Sequence, residues 1–405
     1  MIRVLYIHHS GTFGGASRSL LEMIKSFPED SVEAYLITQK GNTSDYFEKS
    51  SIKTFTTKGI SQFDNGQYAH YRGWRWFILI REIIYLPFTF YIIYKTKKKL
   101  KSLDIIHLNE VQLIFPAIFV YFIFRKPIVI HSRSLQQSDL RSLRTRIIRK
   151  ILLKISKFVI PIDEAVNASL PPGLNTLVVH NGFNPSTLKV DSIDKNYWDI
   201  IPIRKFTVGM VGNLIGHKGF DEFIEAANVL VREGFDINFI VVGDRNIKVN
   251  FITKLLRLVG LNHNIRDVIV NKISSYNLSG YFHLFPFTTN LADIYSKFDV
   301  LCFPNQTDAI GRPVFEAAYY GKPSIVCLSK ILGDTFIDGV TGINIKAKSP
   351  NDLVKSIKYL YLNPSESLRL GHNAQELTQR VHDSKKNSLK ILEIYNKIIS
   401  HDRKI

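Results

Sequence analysis

Residues 206–243 read FTVGMVGNLIGHKGFDEFIEAANVLVREGFDINFIVVG. An apolar run at 206–212 predicts a buried strand, apolar residues at helical spacing over 220–233 predict a helix, and a second apolar run at 237–243 predicts another strand. A helix that joins two such strands is the crossover unit of a parallel sheet. The stretch therefore predicts a doubly wound α/β domain, whose ligands bind beyond the carboxyl ends of its strands.

The same alternation extends in both directions from this stretch. Before it, apolar runs predict strands at 2–8, 32–38, 103–108, 128–131, 158–162 and 176–180, with helices at 16–27 and 140–154. After it, the pattern predicts strands at 280–284, 300–303, 323–327 and 342–345 and helices at 313–320, 351–362 and 384–399. Gly182, Pro185 and Pro202 interrupt the alternation. We therefore predict two tandem Rossmann-like domains, 1–183 and 206–383, joined by a linker at 184–205 and followed by a C-terminal helix at 384–405.

Length and composition exclude several classes of protein. The 405 residues exceed the ~250–300 that one hydrophobic core supports, which favours two domains. A hydrophobic fraction of 45% and a charged fraction of 22% exclude a disordered chain, a collagen and a coiled coil. The two cysteines, Cys302 and Cys327, exclude a disulfide framework and a cysteine-based zinc site, and they fit a reducing compartment.

Positive charge is concentrated in one quarter of the chain. Lys and Arg number 53 against 35 Asp and Glu, a net charge of +18, and residues 51–150 hold 18 basic and 5 acidic side chains. Such a field attracts nucleic acid, anionic lipid or phosphorylated substrates. The sequence has no nucleic-acid recognition motif, so we expect no nucleic acid partner.

An apolar stretch, 76–94, lies inside the basic region. Arg81, Glu82 and Pro87 interrupt it, and the uncharged run at 111–124 is shorter than the ~20 residues that a spanning helix requires. We expect either a helix resting on an anionic membrane surface or a buried helix with a solvated basic face. The side chains that suit a headgroup interface are Arg72, Trp74, Arg75, Trp76, Tyr91, Tyr94, Lys95, Lys97, Lys98 and Lys99. The N-terminal residues lack the pattern of a secretory leader, which favours a cytoplasmic protein, peripheral on the inner face of the cytoplasmic membrane.

Two glycine-rich loops each follow a predicted strand and open a predicted helix. Residues 8–17 read HHSGTFGGAS, and Gly14 and Gly15 allow backbone N–H groups to approach a phosphate, with a simple tight turn as the alternative. Residues 212–219 read GNLIGHKG and place Lys218 at a helix start, where a cation opposes the helix dipole. A bound anion would reverse that opposition, and a solvated loop lysine is the alternative.

The loop after 300–303 is the most informative segment. Residues 304–318 read PNQTDAIGRPVFEAA, with Asp308 in the loop and Glu316 one turn into the next helix. Pro313 suits the first helical turn, and the amides there suit a diphosphate. A carboxylate at Glu316 can accept both hydroxyls of a ribose, although an acid with a merely structural partner would fit the same position.

These motifs resemble the GT-B glycosyltransferases of family four. The resemblance also includes Asn181-Gly182-Phe183-Asn184 before the linker and the run DGVTG at 338–342. It covers nearly the whole chain in the same order and is stronger in the C-terminal domain. It implies two Rossmann-like domains facing a cleft, with the C-terminal helix returning to the N-terminal domain.

The resemblance also implies a reaction, which is transfer of a sugar from a nucleotide-diphosphate sugar with retention of configuration and without a metal or cofactor. Its implied catalytic residues are His131, Asp308 and Lys218. Its implied donor-binding residues are Gly14, Gly15, Asn213, Lys218, Gly311, Arg312, Pro313, Val314 and Glu316. Glu316 would hold the ribose, Lys218 the departing diphosphate, and His131 would lie near the reacting sugar. Asn213 replaces the family's usual arginine, and Asp308 is one methylene shorter than its usual glutamate.

We expect the acceptor to be a glycan or a polyprenyl-diphosphate-linked lipid of surface polysaccharide biosynthesis. Two alternatives stay open from the sequence, namely a sugar-nucleotide epimerase of the same architecture and a non-catalytic glycosyltransferase-like subunit. A histidine in an apolar strand can also be purely structural, which is the alternative for His131. A metal site is not expected, because neither an Asp-x-Asp motif nor a paired carboxylate–histidine spacing follows the predicted strands.

Overall fold

The computed structural model describes residues 1–68, 71, 76–100, 102–186, 201–202, 204–244 and 265–402. It divides into two compact units, one made of Met1–Asn184 and His382–Ile405 and the other of Pro185–Val381. Each unit has one six-stranded sheet with surrounding helices, so the predicted pair of doubly wound α/β domains is confirmed. Most of the predicted linker, 184–205, lies outside the described residues, as do Arg72, Trp74 and Arg75.

The first unit has a parallel sheet in the order β3-β2-β1-β4-β5-β6. Its strands are β1 Ile2–His8, β2 Val32–Gln39, β3 Lys53–Thr57, β4 Ile105–Leu108, β5 Ile128–Ser132 and β6 Phe158–Pro161. Its helices are α1 Gly15–Lys25, α2 Asn42–Lys49, α3 Ile78–Lys99, α4 Ile114–Phe124, α5 Leu143–Ile155 and α6 Glu164–Ser169. The chain builds one half of the sheet from the centre outward and then the other, which puts a switch point between β1 and β4.

The second unit repeats this order as β12-β11-β10-β7-β8-β9. Its strands are β7 Phe206–Val211, β8 Ile237–Asp244, β9 Phe282–Pro286, β10 Val300–Phe303, β11 Ser324–Val326 and β12 Gly342–Asn344. The helices that follow in the chain are α7 Phe220–Arg232, α8 Ile265–Ser275, α9 Leu291–Ser296, α10 Arg312–Tyr319, α11 Pro350–Leu362, α12 Pro364–Val381 and α13 Ser384–Asp402. The switch point here lies between β7 and β10, which directs attention to the loops that follow those two strands.

The C-terminal helix α13 belongs to the first unit, so its predicted return to the N-terminal domain is confirmed. It buries Ile391, Ile394 and Tyr395. The Ser388 hydroxyl donates to the carbonyl oxygen of Met23 in α1 at 3.0 Å. The helix therefore supplies part of the core of a domain from which it is separated by almost two hundred residues.

Two sequence predictions differ from the structure. The strand predicted at 176–180 is wrong, because only Thr176 bridges to Val159 and the segment continues as a loop. Strand β3 was not predicted, because it is an edge strand with one buried residue, Phe55, and its threonines give a weak apolar pattern. Within the described ranges, no helix is both long and apolar enough to cross a membrane.

Candidate active site

The loops that follow β7 and β10 touch each other in the second unit. Gly219 has a φ of 83°, and a Cβ there would lie 2.4 Å from the carbonyl oxygen of Pro304, so only glycine fits. The Gln306 N–H donates to the carbonyl oxygen of His217 at 2.9 Å. These contacts bring the GNLIGHKG loop and the PNQTDAIG loop, which the sequence singled out separately, into one site.

Lys218 occupies this junction without a charge partner. Its Nζ lies 4.9 Å from the centroid of the Phe303 ring, and no acidic oxygen of the described residues forms an ion pair with it. The side chain is half-buried, and the resulting desolvation lowers the pKa of Lys218 to about 8. A partly desolvated ammonium with no counter-charge is the arrangement that a bound anion would stabilise.

The start of helix α10 lies on the other side of the same phenylalanine. A Cβ at Gly311 would lie 2.4 Å from Cζ of Phe303, so the ring spans from Lys218 to the helix start. Pro313 has no N–H, and the Val314 N–H donates to the Gly311 carbonyl oxygen at 3.1 Å. Within the predicted Gly311–Val314 run, Pro313 and Val314 therefore do not donate a backbone N–H to a ligand in this structure.

Glu316 is buried one turn into α10 and has a partner on each oxygen. Oε1 accepts from Nε of Arg312 at 2.9 Å, and Oε2 accepts from the hydroxyl of Tyr295 in α9 at 2.9 Å. Each carboxylate oxygen can accept a second hydrogen bond, so ribose hydroxyls could still be bound. Tyr295 was not predicted from the sequence, because an aromatic residue in an apolar helix gives no signal of a polar role.

Asp308 and Asn213, the remaining predicted residues of this unit, lie on two separate loops. Asp308 has a φ of 52°, a left-handed conformation that costs a non-glycine residue about 1–2 kcal/mol. Its carboxylate accepts from the backbone N–H of Ser329 at 2.6 Å and from the Ser329 hydroxyl, which ties it to the loop after β11. Asn213 is exposed on the loop after β7. Strained residues held by several contacts are common at functional sites.

In the first unit, His131 lies at the carboxyl end of β5 and is 3% exposed. Its ring centroid is 5.5 Å from that of His107 on β4, and its Nδ1 is 3.4 Å from a terminal nitrogen of Arg133. Burial, followed by the nearby charge of Arg133, holds the pKa of His131 well below its usual value. Its Nε2 atom is buried and has no hydrogen-bond partner in the part of the chain that the structure describes.

Residues near His131 that the sequence did not single out follow β4 and β5. Arg133 donates from Nε to Oδ1 of Asn109 at 2.9 Å and from a terminal nitrogen to Oδ1 of Asn181. The Glu110 carboxylate accepts from the backbone N–H of Val111 at 2.9 Å, and burial raises the pKa of Glu110 to about 7. Their only sequence signal was their place directly after predicted strands.

Gly14 and Gly15 open α1 in the first unit. A Cβ at Gly14 would meet nothing closer than the carbonyl oxygen of Thr12 at 4.0 Å, which leaves space beside the backbone for a ligand. The predicted residues thus form two groups, one in each unit. Among the described residues, no cluster of three or more His, Cys, Asp or Glu could hold a metal ion.

Comparison with known proteins finds a family similarity in the second unit. Residues 200–377 match the family model described as Glycosyl transferases group 1. The match spans less than half of the chain, so it is a similarity of this part of the chain to that family. The matched residues include Lys218, Asp308 and Glu316, together with the two loops that meet at Gly219.

Curated relatives match parts of the chain at low identity. A Staphylococcus aureus protein named capsular polysaccharide biosynthesis glycosyltransferase CapM is 22% identical over 179 residues, which are 44% of this chain and 43% of CapM. An uncharacterized glycosyltransferase of Methanocaldococcus jannaschii is 25% identical over 291 residues, 69% of this chain and 72% of that protein.

A solved structure shares the fold of the whole chain. The crystal structure of Anabaena HepE in complex with UDP and glucose has a TM-score of 0.73 and 19% identity, and the match covers 98% of this chain and 100% of HepE. At this identity the likeness establishes the fold, which is the GT-B pair of Rossmann-like domains, and leaves the substrates to be argued from the site.

Proposed function

We propose that this protein is a retaining glycosyltransferase that moves a sugar from a nucleotide-diphosphate sugar to a glycan or lipid-linked acceptor in surface polysaccharide biosynthesis. The observation that carries the proposal is the half-buried ammonium of Lys218 beside the start of α10, which has no ion-pair partner among the described residues. Glu316 lies one turn further along the same helix. The cation and the helix amides match the diphosphate of a nucleotide, and the carboxylate that follows them matches its ribose.

The proposed chemistry places the largest electrostatic demand on Lys218. Negative charge develops on the diphosphate as the bond to the sugar breaks, and Lys218 and the α10 amides would stabilise it. The reaction proposed here requires no metal ion. A uridine diphosphate sugar is the first donor to test, because HepE and this chain share a fold and HepE was solved with UDP, UDP-glucose, and UDP with glucose.

The proposed membrane-bound acceptor is supported by the exposed apolar face of helix α3. Its outward face carries Ile80, Ile83 and Tyr91, which are 54%, 63% and 60% exposed. Its inward face buries Ile92 and Ile93 together with Glu82 and the threonines at 89 and 96. A surface helix ordinarily presents polar and charged side chains to water, so the apolar side chains on the outward face of α3 are unusual.

Basic and aromatic side chains complete the surface at the C-terminal end of α3. Nζ of Lys98 lies 4.7 Å from the ring centroid of Tyr94, and Nζ of Lys95 lies 5.7 Å from that of Tyr91. Amphipathic helices of this kind lie in the plane of an anionic membrane with lysines at the headgroups. We therefore propose that the protein is peripheral on the cytoplasmic leaflet and takes a polyprenyl-diphosphate-linked acceptor there.

The proposal is tested by incubating the full-length protein with UDP- and GDP-sugars and a membrane lipid extract. Mass spectrometry should show a lipid-linked product with one added sugar, equimolar free nucleotide diphosphate, and the same yield in excess EDTA. An isomerised sugar nucleotide without transfer would indicate the epimerase instead. Donor binding without any turnover would indicate a non-catalytic subunit, and loss of the yield in EDTA would contradict the metal-free mechanism.

A further inference from the structure

Arg133 contacts the Nδ1 atom of the His131 ring, and this contact decides which ring nitrogen carries the imidazole proton. A guanidinium has only N–H donors and stays protonated in proteins. Its terminal nitrogen lies 3.4 Å from Nδ1 of His131, so Nδ1 must present its lone pair. A neutral imidazole carries one proton, which is therefore on Nε2.

The orientation of Arg133 is itself fixed by its neighbours. Nδ2 of Asn109 donates to the carbonyl oxygen of Ala16 at 3.2 Å, which turns Oδ1 of Asn109 toward Nε of Arg133. Oδ1 of Asn181 accepts from a second guanidinium nitrogen. With two nitrogens held, the third is aimed at His131.

The chain of hydrogen bonds continues from Asn109 toward the glycine-rich turn of the first unit. Nδ2 of Asn109 also donates to Nδ1 of His8 at 3.0 Å, so the His8 proton is on Nε2 and is donated to the hydroxyl of Ser17 at 2.9 Å. Ser17 is in the first turn of α1, which Gly15 begins. The donors thus run in one direction, from Arg133 to the turn.

His131 remains neutral in these surroundings. Desolvation and the charge of Arg133 disfavour its protonation, and His107, whose pKa burial lowers to about 3, brings no acidic charge that would favour it. The other titratable group lining the same small cavity is His180. Among the described residues, the buried Nε2 of His131 has no hydrogen-bond partner, so its N–H has no acceptor among them.

We propose that Arg133 is a positioning residue that holds His131 in the tautomer protonated on Nε2, so that His131 presents a neutral hydrogen-bond donor to a substrate oxygen. The role toward a substrate rests on the proposed function, whereas the tautomer does not. His131 then acts by orienting and stabilising the substrate and not by transferring a proton.

The tautomer is tested by long-range ¹H–¹⁵N spectra of the full-length protein labelled with [¹⁵N]histidine. The chain has 12 histidines, and the His131 signals are those missing from His131→Gln. The parent should show the Nε2-protonated pattern, unchanged between pH ~5.5 and ~8. Protonation on Nδ1, or titration in that range, would overturn the proposal whether or not any Arg133 variant folds.

Two substitutions test whether Arg133 is the cause. Arg133→Met removes the donor and should shift His131 to a mixture of tautomers and lower kcat about tenfold, the effect of one misdirected hydrogen bond. Arg133→Lys keeps a donor-only cation and should recover most of both. A parent-like tautomer and kcat in Arg133→Met would overturn the positioning role. A parent with the expected tautomer and no turnover of any sugar nucleotide would refute the proposed function alone.

Discussion

Lys218 and Glu316 lie in the same unit and differ in how their charges are compensated. Glu316 is paired with Arg312 and hydrogen-bonded to Tyr295, whereas the ammonium of Lys218 lies over the Phe303 ring and has no ion-pair partner among the described residues. A compensated carboxylate binds ligands with little change in its own protonation. An uncompensated ammonium responds strongly to an anion. Replacing Lys218 and replacing Glu316 should therefore have different effects on turnover and on donor affinity.

Lys218→Ala should lower kcat by about 10²–10³ and weaken donor binding less, because the charge that Lys218 meets grows in the transition state. The pKa of about 8 also predicts a pH dependence. Protonated Lys218 binds the diphosphate, so donor affinity should be constant below pH ~8 and fall as the pH rises above it. Calorimetry and steady-state rates between pH 6 and 10 measure both effects.

Lys218→Arg is the matched control, since arginine stays protonated throughout this range. Its donor affinity should lose the inflection near pH 8 while keeping most of its value at pH 7. An inflection that persists in Lys218→Arg would assign the titration to another group. Equal losses of kcat and donor affinity in Lys218→Ala would restrict Lys218 to ground-state binding.

Glu316→Gln should weaken donor binding about 10- to 100-fold, since hydrogen bonds to a charged acceptor are stronger than those to an amide. Glutamine preserves the volume and an acceptor for Tyr295. Glu316→Ala is a poorer test, because it also removes the acceptors for Arg312 and Tyr295, and each buried donor left unpaired costs about 1–3 kcal/mol of stability. Calorimetric titration with the donor gives the affinity.

A 2′-deoxy nucleotide separates ribose binding from other effects of the Glu316 substitution. If Glu316 binds the ribose, the parent should lose affinity for the deoxy analogue and Glu316→Gln should lose little more. An equal deoxy penalty in both proteins, or an unchanged donor affinity in Glu316→Gln, would show that Glu316 only braces Arg312 and Tyr295.

At the scale of an element, helix α3 has 22 residues and would lie along a membrane for about 33 Å. Its inward polar groups hold the loop after β3. The Gln62 N–H donates to Oε2 of Glu82 at 2.7 Å, and the Ser61 N–H donates to the hydroxyl of Thr89 at 2.8 Å. The buried polar face therefore has a structural explanation, whereas the exposed apolar face has none within its own unit.

Two sets of α3 substitutions should weaken binding to anionic vesicles in different ways. Changing Lys95, Lys97, Lys98 and Lys99 to Gln should lower affinity about 10²-fold or more at low salt and less at high salt. Changing Ile80, Ile83 and Ile84 to Ser should lower affinity at both salt concentrations, because burial of apolar surface is not screened. Vesicle sedimentation at two salt concentrations measures both.

Matched controls come from exposed side chains of the second unit. Lys297, Lys346, Lys348 and Lys355 to Gln removes the same charge, and Leu362 and Leu368 to Ser removes exposed apolar groups of similar exposure. Both controls should sediment like the parent. If the α3 variants also sediment like the parent, or if the parent does not bind vesicles, the membrane proposal fails while the donor chemistry is unaffected.

At the scale of the whole molecule, the first unit is completed by the far end of the chain. The hydroxyl of Tyr395 in α13 lies 2.6 Å from Nδ1 of His107 and 3.3 Å from the hydroxyl of Tyr6. All three residues are buried. The polar contact between helix and sheet is therefore made away from water, where a lost partner is costly.

Tyr395→Phe should destabilise the first unit by about 1–3 kcal/mol, because it leaves the His107 nitrogen and the Tyr6 hydroxyl without this partner and keeps the ring packing. Differential scanning calorimetry should show a Tm lower by about 2–6 °C. Tyr361→Phe in the second unit, whose ring packs on Phe206, is the control and should leave the Tm unchanged. Equal Tm values for Tyr395→Phe and the parent would contradict this role of α13.

The sequence by itself determined the two doubly wound domains and the loops that carry the candidate donor site. These features depend on local signals, since strand and helix periodicities are short-range and ligand loops follow strands in a parallel sheet. The return of the C-terminal helix was predicted from the family resemblance and not from a local pattern. The sequence also singled out Lys218, because a cation at a helix start opposes the helix dipole, and Glu316, because it lies one turn into a helix that follows a strand and a loop. Their placement in one domain follows from its topology.

Only the tertiary structure decided which side chains meet. Tyr295 bonds Glu316 and Arg133 bonds His131, the latter braced by Asn181 from a segment 48 residues further along the chain, and no periodicity encodes such contacts. The structure also decided which face of α3 is exposed, because an apolar stretch reads the same whether it is buried by protein or presented outward. Burial is a property of what packs around a residue, and that is fixed only when distant segments come together.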